Sequence, residues 1–227
     1  MRRNSSKLQA PSSKQRKIIL LAACSLQLAT LLIGCAKREI KNIDAKGKNI
    51  ICFGDSITFG YGVSAGEDYP STLAKMLQHT LINAGIDGDT TTEALKRLES
   101  DVLDRSPRLV IIEFGGNDFL KGIPTETTIN NIAEMVERIQ EEGAIVAIAD
   151  ISAGFLLNQY HAPLYNLCKA EGAIFIPKIL NGIITDPSLK SDFIHPNANG
   201  YKLIAERIYR VILPYLNQGI SVLRENQ

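Results

Sequence analysis

The 227-residue chain is 45% apolar and 22% charged, which is enough for one well-buried domain and excludes the composition of a disordered chain. Its formal net charge of +1 is unevenly distributed: the first 34 residues hold Arg2, Arg3, Lys7, Lys14, Arg16 and Lys17 and no Asp or Glu. Without those six, 25 basic residues fall to 19 against 24 acidic ones, a net charge of −5 that argues against nucleic acid as a partner.

In chain order, residues 1–34 read as a lipoprotein signal peptide. A polar, basic stretch ends at Lys17, and the apolar run Ile18 to Ile33 is short of the roughly 20 residues that span a bilayer. The run closes in Leu32-Ile33-Gly34-Cys35, which resembles the bacterial lipobox, with Cys35 the lipidated residue because a thiol is the strongest nucleophile available to accept a diacylglycerol. An uncleaved N-terminal membrane helix is the alternative, and both tether the chain to a membrane in the cell envelope. Ala36 in place of Asp implies, by resemblance to lipoproteins, outer-membrane sorting in a cell with two membranes. Residues 35–48 read as the lipidated Cys and a polar tether, 49–218 as the folded domain, and 219–227 as a C-terminal tail. Once Cys24 leaves with the leader and Cys35 takes lipid, Cys52 and Cys168 are expected as buried thiols rather than a bridge.

Beyond the tether, apolar strand-like runs alternate with helical patterns. Asn49 to Phe53 reads as a strand, and Tyr69 to Ala84 as a helix with Leu73, Met76, Leu77 and Leu81 on one face. A weaker strand near Leu81 to Ile86 overlaps that helix. Thr90 to Arg105 reads as a helix, Leu109 to Phe114 as a buried strand, and Ile129 to Glu142 as a helix that Gly143 stops. A strand over Ala144 to Ala149, a helix over Leu157 to Glu171, a strand over Ala173 to Ile176 and a closing helix over Ala198 to Leu216 complete the pattern. Continuous apolar strands separated by helices predict a three-layer α/β/α sandwich around a five-stranded parallel sheet. Ligands bind such sheets beyond the carboxyl ends of the strands.

Four polar or glycine-bearing clusters stand at those ends. Gly54-Asp55-Ser56-Ile57 follows the first strand, where a tight turn lifts a hydroxyl off the sheet among backbone N–H groups. Gly88-Asp89-Thr90-Thr91 follows the second, and Gly115-Gly116-Asn117-Asp118 the third, with Asn117 able to donate to an oxyanion. Asp192-Phe193-Ile194-His195 precedes the last helix; a carboxylate three residues before a His can hold its Nδ1 and leave Nε2 to take a proton from a serine. His79 and His161 sit in or beside helical patterns, are expected at the surface or a boundary, and leave no metal-ligand cluster.

Taken together, Gly54-Asp55-Ser56, Gly88, Gly116-Asn117-Asp118 and Asp192-x-x-His195 resemble the four blocks of the SGNH (GDSL-type) hydrolases, over about Ile51 to Leu216. The chain is most similar to the bacterial arylesterase, thioesterase and lysophospholipase branch, through Gly60-Tyr61-Gly62, Tyr69-Pro70, Gly88-Asp89-Thr90-Thr91 and Glu113-Phe114-Gly115-Gly116-Asn117-Asp118. The resemblance implies a flavodoxin-like sandwich and no metal or organic cofactor. It makes Ser56 the nucleophile, His195 the general base oriented by Asp192, and the N–H groups of Ser56 and Gly88 with the Asn117 amide the oxyanion hole. The expected substrates are small acyl esters, thioesters or lysophospholipids, and the expected state is a monomer. Ile57 replaces the usual Leu without consequence, whereas Asp87 is expected to narrow the acyl or alcohol site. An O-acetylesterase of envelope polysaccharide is the alternative substrate class, disfavoured by the absence of Trp, and a non-catalytic binding lipoprotein is the alternative outside enzymes.

Overall fold

The computed structural model describes residues 39–225, with side chains up to Leu216. The leader, Cys35 and its lipobox therefore lie outside the described residues. Five parallel strands, β1 (Asn49–Gly54), β2 (Leu81–Gly85), β3 (Pro107–Glu113), β4 (Ile145–Ala149) and β5 (Ile174–Ile176), form one sheet in the order β2-β1-β3-β4-β5. β1, β3 and β4 are buried along almost their whole length, because Ile, Val, Phe and Ala on both faces must be covered by helices. β2 is the half-buried edge, and its mixed Leu81-Ile82-Asn83-Ala84-Gly85 sequence reflects that position.

The helices are α1 (Ser56–Phe59), α2 (Tyr69–Leu77), α3 (Thr91–Asp101), α4 (Gly116–Leu120), α5 (Thr125–Glu141), α6 (His161–Glu171) and α7 (Ala198–Glu225). α2 packs with α7, while α5 packs with both α3 and α6. The expected three-layer α/β/α sandwich is what forms. The order of the strands reverses between β1 and β3: the chain leaves β1 towards β2 and then crosses to β3 on the other side. That switch point opens a crevice at the carboxyl ends of β1 and β3.

Several boundaries differ from those the sequence suggests. The helix expected over Tyr69 to Ala84 stops at Leu77, where Gln78 turns to a left-handed φ of 52° and its N–H bonds back to Ala74 and Lys75; Leu81, which continues the helical spacing, belongs to β2. The helix expected over Thr90 to Arg105 starts after its Thr90 cap and gives way to a separate 3₁₀ turn at Leu103–Arg105. A helix expected from Leu157 begins at His161, after a 3₁₀ turn over Asn158–Tyr160. The last helix runs beyond Leu216 to Glu225, through Pro214, where a tail from residue 219 is expected.

The tether boundary also moves. Ile40 is buried in the core, Lys41 N–H donates to the Gly172 carbonyl, and Asn42 Nδ2 donates to the carbonyls of Gln140 and Ala144. Lys48 N–H then donates to Ser106. Gly172, Ala144 and Ser106 lie just ahead of β5, β4 and β3, so residues 40–48 run along the amino edge of the sheet into β1 and belong to the folded body. Their polar composition conceals this, because backbone and amide hydrogen bonds share the docking with a few apolar contacts, Ile40 in the core and Ile43 and Ala45 against it. Cys52 and Cys168 are buried thiols of β1 and α6.

Candidate active site

β1 delivers the serine. After Phe53 the strand ends at Gly54, where a Cβ would lie 2.0 Å from Thr58 Oγ1, so only glycine lets α1 fold back onto the strand end. Asp55 caps α1, its Oδ1 accepting from Ile57 N–H at 3.1 Å, and Ser56 sits in the first turn, almost buried.

His195 comes from the segment before α7. Its Nε2 lies 3.1 Å from Ser56 Oγ and its Nδ1 2.7 Å from Asp192 Oδ2. Asp192 Oδ1 accepts from the backbone N–H groups of Ile194 and His195, at 2.9 and 2.8 Å. Its partial burial works against ionisation, but the His195 hydrogen bond and these two N–H groups outweigh that and hold the carboxyl at about 2. Asp192 is therefore a carboxylate throughout the range of about pH 5 to 8 in which imidazoles titrate. The Tyr61 ring lies over the imidazole with centroids 4.3 Å apart, and Tyr201 Oη donates to the Tyr61 carbonyl at 3.0 Å, which ties that loop to α7.

β3 delivers Asn117 at the start of α4. Its Nδ2 donates to Asp55 Oδ2 at 3.2 Å, which fixes the amide with nitrogen towards the serine turn. β2 delivers Gly88 with a φ of +78°; a Cβ there would meet nothing within 4 Å, so the left-handed backbone and not space calls for glycine. Lys121 Nζ donates to the Gly88 carbonyl at 3.0 Å, and Asp89 beside it pairs with Arg97 at 2.6 Å.

Ser56, Asn117 and His195 share the wall of one pocket of about 230 Å³. Apolar side chains supply most of the rest, among them Phe119, Leu120, Ile151, Leu156, Leu180 and Ile184. Asp192 stands behind His195, and Gly88 lies on the neighbouring turn outside the pocket wall. Asp87, expected to narrow the site, is exposed and does not line the pocket, because the positive φ of Gly88 turns the chain there. Among the described residues, the exposed large apolar side chains Phe59, Tyr61, Ile86, Phe119, Leu120, Phe155 and Leu156 come soon after the ends of β1 to β4, and Phe193 and Ile194 stand just before His195.

Sequence reasoning leaves three features of this region unassigned. Glu113 closes the apolar β3 as a carboxylic acid only 1% exposed, a signal visible in the sequence as an ionisable residue ending an apolar strand. Arg97 of α3 donates to the carbonyls of Ala84 and Gly54 at 2.9 and 3.1 Å and lies over the Phe53 ring. His161, expected at a surface or boundary, is half-buried, with Nδ1 2.6 Å from the buried Asp150 that also accepts from the N–H groups of Ser152 and Lys178.

The GDSL-like lipase/acylhydrolase family model matches residues 52–203. An arylesterase of Vibrio mimicus is 29% identical over 180 residues, covering 74% of this chain and 90% of its own. Thioesterase 1/protease 1/lysophospholipase L1 of Escherichia coli strain K12 is 29% identical over 181 residues, covering 76% and 87%. Among solved structures, that of TesA superimposes with a TM-score of 0.68 at 26% identity, over 74% of this chain and 99% of the other.

Proposed function

Given that this chain belongs to the GDSL-like lipase/acylhydrolase family and is a carboxylic ester hydrolase, we propose that Ser56 is its nucleophile, that His195 and Asp192 complete a triad, and that the substrate carries an apolar acyl group. One observation carries this reading. His195 Nε2 stands 3.1 Å from Ser56 Oγ at the wall of an apolar pocket, with Nδ1 held by an ionised Asp192.

Ser56 Oγ attacks the carbonyl carbon while its proton passes to His195 Nε2. The N–H groups of Ser56 and Gly88 and the Asn117 amide hold the oxyanion, and His195 returns the proton to the departing alcohol or thiol. Water then attacks the acyl-enzyme by the same route and releases the acid. The apolar lining favours aryl esters, acyl thioesters and lysophospholipids over acetylated sugars, whose polar rings would leave it unsatisfied.

The test is hydrolysis of p-nitrophenyl esters from acetate to palmitate by the detergent-solubilised full chain. The reading predicts kcat/KM rising with acyl length beyond acetate and lost in Ser56→Ala. A profile peaking at acetate supports the O-acetylesterase instead, and no hydrolysis of any ester supports a binding lipoprotein. For the anchor, the lipobox at Cys35 supports attachment through a lipid, and fatty-acid labelling in cells should disappear in Cys35→Ala; retained label would place the lipid elsewhere.

A further inference from the structure

Next to the nucleophile lies a buried polar chain that the triad does not use. Tyr69 Oη is 3.0 Å from Thr58 Oγ1, which donates to Glu113 Oε2 at 2.8 Å. Glu113 Oε1 is buried and has no donor among the described residues. β3 pairs Glu113 with Gly54, the residue before Asp55, both acids line the same pocket, and their side chains interact. Asp55 accepts from Ile57 N–H and from Asn117 Nδ2. Two buried carboxylates cannot face each other without a proton between them, and an orphaned buried oxygen is costly. A single proton on Glu113 Oε1 relieves both conflicts.

We propose that Glu113 is a positioning residue which stays protonated at neutral pH and donates to Asp55, so that an anionic Asp55 holds the Asn117 amide with its nitrogen towards the reacting carbonyl. The direction of every hydrogen bond follows: Tyr69 to Thr58, Thr58 to Glu113, Glu113 to Asp55, and Asn117 to Asp55. This rests on the reading of Asn117 as an oxyanion donor. With both acids ionised, a second negative charge would stand behind the site where an oxyanion forms. With both protonated, Asp55 would lose its charge-assisted grip on the amide.

The surroundings favour one shared proton. Cys52 of β1, Tyr69 of α2, Tyr201 of α7 and, around Asp55, Asp118 and His195 face the pair, and the first three supply no positive charge. Burial first, and then Asp55, push Glu113 well above the carboxylate range. Burial also lifts Asp55, to about 6, against the pull of the Ile57 N–H and of Glu113. Asp55 accepts from two N–H donors, the Ile57 amide and the Asn117 side chain, whereas Glu113 accepts from the Thr58 hydroxyl, so the single charge of the pair resides on Asp55.

Infrared spectroscopy of the full chain near pH 8 tests this without reference to turnover, so its failure is separable from failure of the hydrolase reading. The C=O band of a buried carboxylic acid should be present, shift on ¹³C-labelling of glutamate carboxyl groups, and vanish in Glu113→Gln. Glutamine can donate to Asp55 and accept from Thr58, so Glu113→Gln should keep kcat within about threefold of wild type while Glu113→Ala loses about tenfold or more at little-changed KM. Absence of the band from the labelled wild-type chain overturns the proposal whether or not the variants fold. A Gln variant that folds and is as slow as the Ala variant also overturns it.

Discussion

Asn117 is only partly buried, and its amide donates to the buried Asp55 carboxyl, which keeps the Ile57 N–H as a donor when that amide is removed. Asn117→Ala should therefore still fold, with a slightly lowered melting temperature, and hydrolyse esters about 10²–10³ more slowly, the usual cost of one oxyanion donor. Near-wild-type turnover would remove Asn117 from the oxyanion hole. Ser56, Asn117, Asp192 and His195 are legible in the sequence because each stands in a short polar cluster just after an apolar strand or just before a helix. The Glu113–Asp55 contact is not legible: Glu113 falls inside a matching motif, but only the parallel pairing of Gly54 with Glu113 brings it beside the serine turn.

At the scale of elements, α3 is fixed by its ends. Thr90 caps it with a full capping box to Glu93, and Arg97 ties its middle to the carboxyl ends of β1 and β2 through Gly54, Ala84 and Asp89. Arg97 and Asp89 are 14% and 7% exposed, so removing the guanidinium strands a largely buried carboxylate. Arg97→Met should cost about 3 kcal/mol of stability, read as a lower denaturant midpoint at unchanged slope, and should slow turnover by loosening the Gly88 turn. Arg97→Lys should recover little, because one ammonium cannot reach two carbonyls and the carboxylates of Asp89 and Asp101 while stacking on Phe53. Equal stability in all three proteins would contradict this. The buried strands β1, β3 and β4 are visible as apolar runs, whereas β2 is confused with the end of α2 because Leu77 and Leu81 keep helical spacing across the Gln78 turn.

For the whole molecule, the chain enters the folded body along the amino edge of the sheet, and the pocket opens at the carboxyl edge. The proposed lipid attachment at Cys35 is separate from the site, so Cys35→Ala should release the protein from membranes while leaving kcat/KM for soluble esters unchanged. A large loss of turnover on soluble esters would contradict that separation. The apolar rim of strand-end loops and the net charge of −5 left without the leader suit an uncharged acyl group better than a polyanion.

The most direct test of Ser56 as the nucleophile is labelling of the full chain with an alkyl fluorophosphonate, which forms an Oγ–P bond as fluoride leaves. The account predicts one adduct per chain, mapped by peptide mass to Ser56, with loss of ester hydrolysis in step with labelling and with little labelling in His195→Ala. Hydrolysis that survives full labelling of Ser56, or an inactivating adduct on another residue, would contradict it.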